Sequence, residues 1–280
     1  MTMPKLLIVE GNTAEQRRRH DKAGGRIAYE LYADVLRQIR SDLSFEIAFP
    51  ADADTGLPSA DALAAFDGIV WTGSALNVYH GGPAIERQIA FARSCFRAHV
   101  PQFGSCWGLQ VAVAAAGGEV TLNTKGREIG IARKIVLTEA GKSHALYSGK
   151  PPVFDALAVH KDGIAKLPDG ATVLCTNAMG IQALSITFEG GDMWGVQYHP
   201  EYHFGEVASC MRRYAPSLVE EGLFSGQAEV EDAAAEFASF DAVPSKRAQW
   251  SFGLEADALD PSMRQREIAN WLALVAGDKR

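Results

Sequence analysis

The run Val100-Pro101-Gln102-Phe103-Gly104-Ser105-Cys106-Trp107-Gly108-Leu109-Gln110 decides the fold. Its first residues are typical of a short strand, and the apolar stretch 109–116 predicts a helix closed by Gly117-Gly118. Strand, Gly-x-Cys-x-Gly and helix form the thiol version of the nucleophile elbow, in which small residues let strand and helix pack around a strained turn. Because free N–H groups at a helix start favour negative charge, we predict that Cys106 is a thiolate nucleophile.

A second motif, Met193 to Glu201, supplies the groups that a nucleophilic thiol needs. We predict that it is a strand ending in His199 and Glu201. Side chains two apart on a strand point the same way, so Glu201 is placed to orient an imidazole that faces Cys106. This set favours acyl chemistry over a structural turn with a buried thiol. His203 is a second candidate for the base, but the strand geometry favours His199.

Alternating strand-like and helix-like segments indicate an α/β fold with a doubly wound, mostly parallel sheet. Apolar strand runs begin near Lys5, Phe45, Gly68 and Val100, and segments with helical features lie between them. After Gly118 the strand-like pieces are separated by turns too short for helical crossovers. These turns predict an antiparallel extension of the sheet.

The connection 11–26 after the first strand is unusually long and carries Arg17-Arg18-Arg19-His20. Loops at the carboxyl ends of strands line the ligand crevice in open α/β sheets. We expect this basic loop either to cover the site and meet a substrate carboxylate, or to be a mobile solvated loop.

The C-terminal part of the chain predicts further helices. A helix from Phe204 is expected to be interrupted at Pro216, and Asp260-Pro261 is typical of the start of the last helix. The apolar stripe of that last helix must dock on the main domain or on a partner subunit. We therefore predict one α/β domain over 1–215 and a C-terminal helical extension over 216–280, packed on that domain or on a partner.

The composition is that of an ordinary globular protein of 280 residues, with 47% hydrophobic residues and a net charge of -7. The acidic balance argues against a nucleic-acid partner or an anionic membrane surface. No apolar run approaches the length of a membrane span, and we expect no signal peptide. Four dispersed cysteines favour a reducing cytoplasm. No spacing of His, Asp and Glu resembles a metal site, and we predict neither a metal ion nor a cofactor.

Three motifs in this order resemble the class I, or triad, glutamine amidotransferase family over about residues 5–214. They are the Thr-Gly-Ser segment at Gly73, the elbow at Cys106, and the segment that ends in His199 and Glu201. The resemblance implies a flavodoxin-like sheet and a Cys-His-Glu triad, in which Cys106 attacks the γ-carbonyl carbon of a glutamine-like substrate. It also implies that backbone N–H groups of Gly73 and Trp107 form the oxyanion hole, and that a γ-glutamyl thioester is resolved by water or an acceptor.

The resemblance further implies a set of substrate-binding residues. Gln110 matches the family residue that helps to bind the glutamate end of the substrate. His160, Lys161 and Asp162 stand in a segment whose backbone fixes the substrate's amino and carboxyl groups in family members. Lys161 replaces a glycine there, which argues against strict specificity for glutamine. Asp162 matches the family and can receive the substrate ammonium group.

Family members usually send ammonia to a synthase domain, fused or supplied by another chain. Residues 215–280 carry no Gly-rich nucleotide loop that would mark such a domain. One hypothesis is a hydrolase of glutamine or a related γ-glutamyl amide that acts alone and releases ammonia or an amine. A second is a glutaminase subunit for a separate synthase chain, and a third is a non-enzymatic thiol sensor or binding module. A sensor needs no general base, so the pair of His199 and Glu201 favours the enzymes.

Overall fold

A nine-stranded mixed sheet forms the centre of the computed structural model, which describes residues 3–242 and 245–277. In chain order the strands are Lys5–Val9 (β1), Ser44–Ala48 (β2), Gly68–Trp71 (β3), Gln102–Ser105 (β4), Glu119–Leu122 (β5), Glu128–Leu137 (β6), Val153–His160 (β7), Asp162–Lys166 (β8), Ala171–Asn177 (β9), Gly180–Phe188 (β10) and Gly191–Val196 (β11). The main sheet has the order β2-β1-β3-β4-β11-β10-β9-β6-β7. Along this order, neighbouring strands are parallel from β2 as far as β11. From β11 as far as β7 they are antiparallel. This confirms the predicted doubly wound α/β sheet with an antiparallel extension; β5 and β8 pair separately.

Helices cover both faces of this sheet. Their bounds are Ala14–Lys22 (α1), Ala28–Ile39 (α2), Ala60–Leu63 (α3), Pro83–Arg97 (α4), Trp107–Ala115 (α5), Glu139–Ser143 (α6), Phe204–Glu220 (α7), Gln227–Ser239 (α8), Lys246–Phe252 (α9), Ala256–Leu259 (α10), Pro261–Arg264 (α11) and Arg266–Val275 (α12). Leu6 and Ile8 of β1 pack in one core cluster with α2 and α12, while Leu7 and Val9 pack in a second with α4 and α5. Burial on both faces explains why β1 is a continuous apolar run. Within the described ranges, no helix has both the length and the apolar character needed to span a bilayer.

The register of the central strands brings two distant segments to one edge of the sheet. Strand β4 lies between β3 and β11, and Ser105 of β4 is opposite Val196 of β11. Both strands run in the same direction, so the residues that follow them leave the sheet at the same carboxyl edge. Cys106 follows β4 directly and His199 follows β11 by three residues, which places them near each other.

The prediction of a basic loop over 11–26 is wrong, because this segment contains helix α1. The Thr13 hydroxyl accepts a hydrogen bond from the Gln16 N–H, and the Gln16 side chain accepts one from the Thr13 N–H. This reciprocal capping box satisfies backbone donors that a helix start leaves free. Arg17 Nη2 lies 2.7 Å from Asp52 Oδ2, so one of the predicted carboxylate-binding arginines is engaged within the protein.

The expected interruption at Pro216 is also wrong, since Pro216 lies inside α7. A proline inside a helix costs roughly 3 kcal/mol, whereas one fully buried large apolar side chain contributes about 1.5–3 kcal/mol. Phe204, Val207 and Leu218 of α7 are fully buried or nearly so. Leu218 lies beyond Pro216 and anchors the last turn, so burial of this face offsets the proline.

The last helices dock on the main sheet, which is one of the two docking partners predicted. The Asp260 side chain accepts a hydrogen bond from the Ser262 N–H at 2.8 Å, and Pro261 is the first residue of α11, as predicted. In α12, Ile268 and Trp271 are fully buried in the core cluster of α2. The apolar stripe of α12 therefore completes the core of this chain.

The division into a domain 1–215 and an extension 216–280 stays a prediction. Helix α7 runs across the proposed boundary, and α8 packs against α7 in a third core cluster. Positions 1–2, 243–244 and 278–280 of these two ranges lie outside the described residues.

Candidate active site

Cys106 occupies the turn predicted between β4 and α5. Its φ of 49° and ψ of -99° lie in a region that residues with a Cβ rarely adopt. A Cβ on Gly108 would lie 2.6 Å from the Cβ of Trp71, and one on Gly104 would lie 2.7 Å from Cε of Met193. A Cβ on Gly104 would also lie 3.1 Å from the backbone of Gly108, so both glycines allow strand and helix to approach closely around the thiol.

Three buried groups from distant parts of the chain meet at this turn. The Cys106 and His199 side chains line one small cavity, and Sγ lies 3.7 Å from the carbonyl oxygen of Val159. Nδ1 of His199 lies 2.7 Å from Oε1 of Glu201, and both residues are 2% exposed. Since Glu201 occupies Nδ1, Nε2 is the ring nitrogen left for the thiol.

The strand predicted to hold His199 and Glu201 ends earlier, at Val196. Both residues lie in the following turn, where the Tyr202 N–H donates to the carbonyl oxygen of His199 at 3.2 Å. The inference from side chains two apart on a strand is therefore wrong, although the two side chains do meet. The Tyr202 ring stacks on the imidazole with centroids 3.9 Å apart, which fixes its orientation.

A chain of buried hydrogen bonds continues behind the carboxylate of Glu201. Ser105 Oγ donates to Glu201 Oε1 at 2.7 Å, and the Tyr32 hydroxyl donates to Ser105 Oγ at 2.7 Å. Burial first, and then the charge of Glu201, raise the pKa of Tyr32, so its hydroxyl stays a donor. No sequence pattern indicates this chain of hydrogen bonds, because Tyr32 lies 73 positions before Ser105 and nothing in its own helix marks it.

The electrostatics of the site favour a protonated imidazole. Burial alone would lower the pKa of His199, but the Glu201 carboxylate and the hydrogen bond and charge of Cys106 raise it to about 10. At neutral pH the His199 side chain is therefore an imidazolium that shares this buried position with Cys106. The arrangement thus places a thiol, an imidazole and a carboxylate together, which are the three kinds of group that nucleophilic acyl chemistry uses.

Of the two residues predicted for an oxyanion hole, Trp107 follows Cys106 directly and Gly73 lines a small cavity together with Cys106. A Cβ on Gly73 would lie 2.8 Å from Cε1 of His199, so the loop after β3 touches the imidazole. The Thr72 hydroxyl accepts a backbone N–H from the loop after β1, and Asn12 Nδ2 lies 3.3 Å from the Gly73 carbonyl oxygen. Trp107 is the first residue of α5, where N–H groups lack an intrahelical acceptor. Their role as oxyanion donors stays a prediction.

A cavity of about 140 Å³ opens from Cys106, and we call it the Asp162 cavity. All four predicted substrate-binding residues, Gln110, His160, Lys161 and Asp162, line it. They come from α5 and from the junction of β7 and β8, so the fold brings together residues some fifty positions apart in the chain. Their contact with a substrate stays a prediction.

The side chain of His160 is engaged with the protein itself. Its Nε2 lies 2.9 Å from Oε2 of Glu128, and its Nδ1 lies 3.1 Å from the carbonyl oxygen of Asp162. Glu128 also accepts hydrogen bonds from Asn177 and Gln182. His160 therefore holds the start of β8 in position, which shapes the cavity through the backbone.

Asp162 presents a buried carboxylate with two polar neighbours that the sequence analysis missed. Its oxygens accept from Asn77 Nδ2 at 2.7 Å and from the Tyr79 hydroxyl at 3.0 Å. Burial and the charge of Asp162 raise the pKa of Tyr79 to about 12, so this hydroxyl remains a donor. Neither of these two partners carries a charge that would neutralise the carboxylate of Asp162.

Arg127 is the second feature of the Asp162 cavity that the sequence analysis missed. Its Nε and Nη2 donate to the two carboxylate oxygens of Glu221 at 2.8 and 2.7 Å, and its guanidinium lies over the ring of Tyr214. The side chain is 4% exposed, and Nη1 makes no hydrogen bond to the described part of the chain. Lys161 stands nearby, with Nζ 4.0 Å from the same Glu221. A fixed cation thus lines the cavity that also holds Asp162.

The second candidate base lies elsewhere. His203 Nδ1 is 2.7 Å from Oδ2 of Asp241 at the start of α7, and the side chain is 41% exposed. Its partner is a surface carboxylate rather than the thiol, so the structure favours His199.

The other cysteines, Cys95, Cys175 and Cys210, are buried in the hydrophobic clusters, and burial raises the pKa of each thiol.

Comparison with known proteins shows the family of this chain. The family model for glutamine amidotransferase class-I matches residues 36–212. A γ-glutamyl-L-1-hydroxyisopropylamide hydrolase from Pseudomonas sp. is 36% identical over 274 residues, which cover 96% of this chain and 92% of that protein. A GMP synthase from Streptomyces avermitilis is 33% identical over 176 residues, which cover 61% of this chain but 30% of the synthase. The crystal structure of a glutamine amidotransferase from Thermotoga maritima superposes with a TM-score of 0.65 at 14% identity, covering 98% of this chain and 99% of that one, and so shares the fold. The chain belongs to the class I glutamine amidotransferase family.

Proposed function

We propose that this protein is an enzyme that hydrolyses the γ-amide bond of glutamine or of a related γ-glutamyl amide. The observation that carries the proposal is that Cys106 and His199 line one small cavity, with Glu201 Oε1 2.7 Å from Nδ1 of His199. The Pseudomonas relative, matched over 92% of its length, is named for hydrolysis of such an amide and supports this substrate class.

In the first half of the reaction the Cys106 thiolate attacks the γ-carbonyl carbon of the substrate. The backbone N–H groups of Gly73 and Trp107 bind the oxyanion, and each such donor contributes roughly 2.7–4 kcal/mol in comparable sites. His199 donates its proton to the amide nitrogen as the carbon–nitrogen bond breaks. Ammonia or an amine leaves, and the γ-glutamyl group remains on Cys106 as a thioester.

In the second half, water replaces the amine beside His199. The imidazole removes one proton from the water while its oxygen attacks the thioester carbon. The carbon–sulfur bond then breaks, glutamate is released, and the thiolate of Cys106 and the imidazolium of His199 are restored. Glu201 orients the ring and stabilises its positive charge in both halves, so one water is consumed for each amide bond cleaved.

The Asp162 cavity supplies a binding site for the α-amino acid end of the γ-glutamyl group. Asp162 accepts the substrate ammonium, while Arg127 and Lys161 bind the α-carboxylate. Arg127 is the stronger anchor of the two, because Glu221 and Tyr214 hold its guanidinium in place and little side-chain freedom is lost on binding. Gln110 completes the site on the side of α5.

A second candidate is a glutaminase that delivers ammonia to a separate synthase chain. The observation in its favour is the match to one subunit of the glutamine-hydrolysing GMP synthase from Methanocaldococcus jannaschii, at 31% identity over 124 residues, 63% of that protein. That match covers 44% of this chain, against 96% for the Pseudomonas hydrolase, so we favour the hydrolase.

We place the enzyme in a reducing cytoplasm, because its cysteines are free thiols.

The test is turnover by the purified full chain. Incubation with glutamine and with γ-glutamyl-L-1-hydroxyisopropylamide should release glutamate together with ammonia or the amine. Cys106→Ala should abolish this release while circular dichroism stays unchanged, and His203→Ala should retain it as the matched histidine control for His199→Ala. Negligible activity of the isolated chain that appears on adding a co-purifying synthase would favour the second candidate instead.

A further inference from the structure

Cys106 also borders a second cavity, of about 30 Å³, which we call the His20 cavity. His199 and Gly73 line the His20 cavity, whereas neither lines the Asp162 cavity. The leaving nitrogen must take its proton from His199, so it belongs on the side of the His20 cavity. The volume holds roughly two water-sized groups, which limits an occupant to a few heavy atoms.

Helices α1 and α7 build one wall of this cavity. His20 comes from α1, whereas Glu206, Cys210 and Arg213 come from α7. A short contact joins His20 Nε2 to Glu206 Oε1, and Glu206 Oε2 accepts the backbone N–H of Arg26 at 3.1 Å. One polar atom each from His20, Glu206 and Cys210 lies within 4.8 Å of the other two. The insertion after β1 thus brings a polar group to the site.

Among the described residues, one buried nitrogen of this wall has no hydrogen-bond partner. The His20 side chain is 10% exposed, and its Nδ1 is buried with no hydrogen bond to any described residue. Gly25 lies against the opposite edge of the His20 ring, since a Cβ on Gly25 would lie 2.1 Å from Nε2. A hydroxyl group suits such an atom, because it both donates and accepts and so pairs with either tautomer of the imidazole.

We propose that the His20 cavity binds the amine half of the substrate, and that His20 selects a short amine bearing a hydroxyl group. This proposal rests on the hydrolysis proposed above. Ammonia leaves Nδ1 of His20 unpaired, and an alkyl chain of the same length covers that atom without pairing it. Long or bulky amines exceed the volume of the cavity.

The test compares amides that differ in the amine alone. Full-length enzyme, assayed with EDTA present, is given γ-glutamylethanolamide, its isostere γ-glutamylpropylamide, and γ-glutamylglycine. The hydroxylated amide should exceed the propylamide in kcat/KM by about 5- to 150-fold, which converts to about 1–3 kcal/mol for pairing one buried polar atom. A ratio near one in the wild-type enzyme would overturn the proposal.

Two substitutions separate the ring nitrogens of His20. The amide nitrogen of His20→Gln reaches the position of Nε2 and keeps the contact with Glu206, but nothing remains at Nδ1, so the ratio should fall toward one. His20→Asn places an amide near Nδ1 and should keep more of the preference. Glu15→Gln, on the exposed face of α1, is the control and should leave the ratio unchanged.

Three further outcomes would count against the proposal. Preference for γ-glutamylglycine that depends on Arg213 would assign the cavity to a carboxylate-bearing amine. Hydroxyl preference that appears only with added Zn²⁺ and vanishes with EDTA would make His20, Glu206 and Cys210 a metal site. An unchanged ratio in His20→Gln would remove His20 from selection. Release of no amine from any of these amides and of no ammonia from glutamine would instead sink the proposed hydrolysis itself.

Discussion

Replacing Arg127 by Met tests how the Asp162 cavity recognises the α-amino acid end of the substrate. Methionine keeps much of the side-chain volume but removes the guanidinium that Glu221 holds in the cavity. Loss of a charge-assisted hydrogen bond costs about 1.5–3 kcal/mol, or about 10- to 150-fold in kcat/KM. We expect that loss with glutamine, and almost none with its decarboxylated analogue γ-aminobutyramide, in steady-state assays of ammonia release.

Lys161→Met is the matched control for this prediction. Lys161 is at the rim with its side chain 36% exposed, so solvent screens its charge and its removal should cost about 0–1 kcal/mol, or at most about fivefold. An equal loss on glutamine and on γ-aminobutyramide in Arg127→Met would show that Arg127 acts only through the fold. No loss on either substrate would refute the assigned carboxylate contact.

The remaining predictions concern the proton carrier and the elbow. Glu201→Gln should lower kcat by about 10- to 150-fold and His199→Ala by more, because the first weakens the orientation and charge of the base while the second removes it; the opposite ranking would contradict the roles. The pKa of His199 is raised from 6.5 to about 10, so the favourable interaction of its charged form is complete below pH 6.5 and is lost as pH rises through about 10. A plot of kcat/KM against pH should therefore fall near pH 10. Glu201→Gln should move this fall to lower pH. A fall at the same pH in Glu201→Gln would argue against His199 as the titrating group. Gly108→Ala should lower the free energy of unfolding by about 1–3 kcal/mol in urea titrations, since its Cβ would meet Trp71, and an unchanged midpoint would show that the elbow tolerates the added methyl group.

Local patterns were sufficient to predict the elbow and the parallel core of the sheet. Cys106 is flanked by glycines that close packing demands, and the run in β1 is apolar because both of its faces are covered. These features depend on neighbours in the chain or on general rules of sheet packing, so residue order alone reveals them.

The errors arose where a weak local signal competed with tertiary packing or capping. Pro216 was expected to interrupt a helix, but burial of Leu218 beyond it outweighs the lost hydrogen bond. Segment 11–26 is expected to be a long basic loop between the first strand and the first helix, although Thr13 and Gln16 carry the signature of a helix start.

Other parts of the site depend on contacts between residues distant in sequence. Tyr32 reaches Ser105 across 73 positions, and His20 reaches Glu206 across 186. Arg127 becomes part of the cavity only because α7 brings Glu221 and Tyr214 beside it. No spacing rule reports such contacts, since each side chain would be unremarkable in its own segment.

The most direct test of the account is to identify the atom that carries the acyl group. Enzyme mixed with a γ-glutamyl amide and quenched in acid should show a γ-glutamyl adduct by mass spectrometry of its peptides. We predict the adduct on Cys106 in the wild-type chain and no adduct in Cys106→Ala. An adduct on Cys95, Cys175 or Cys210, or full turnover by Cys106→Ala, would contradict the proposed mechanism.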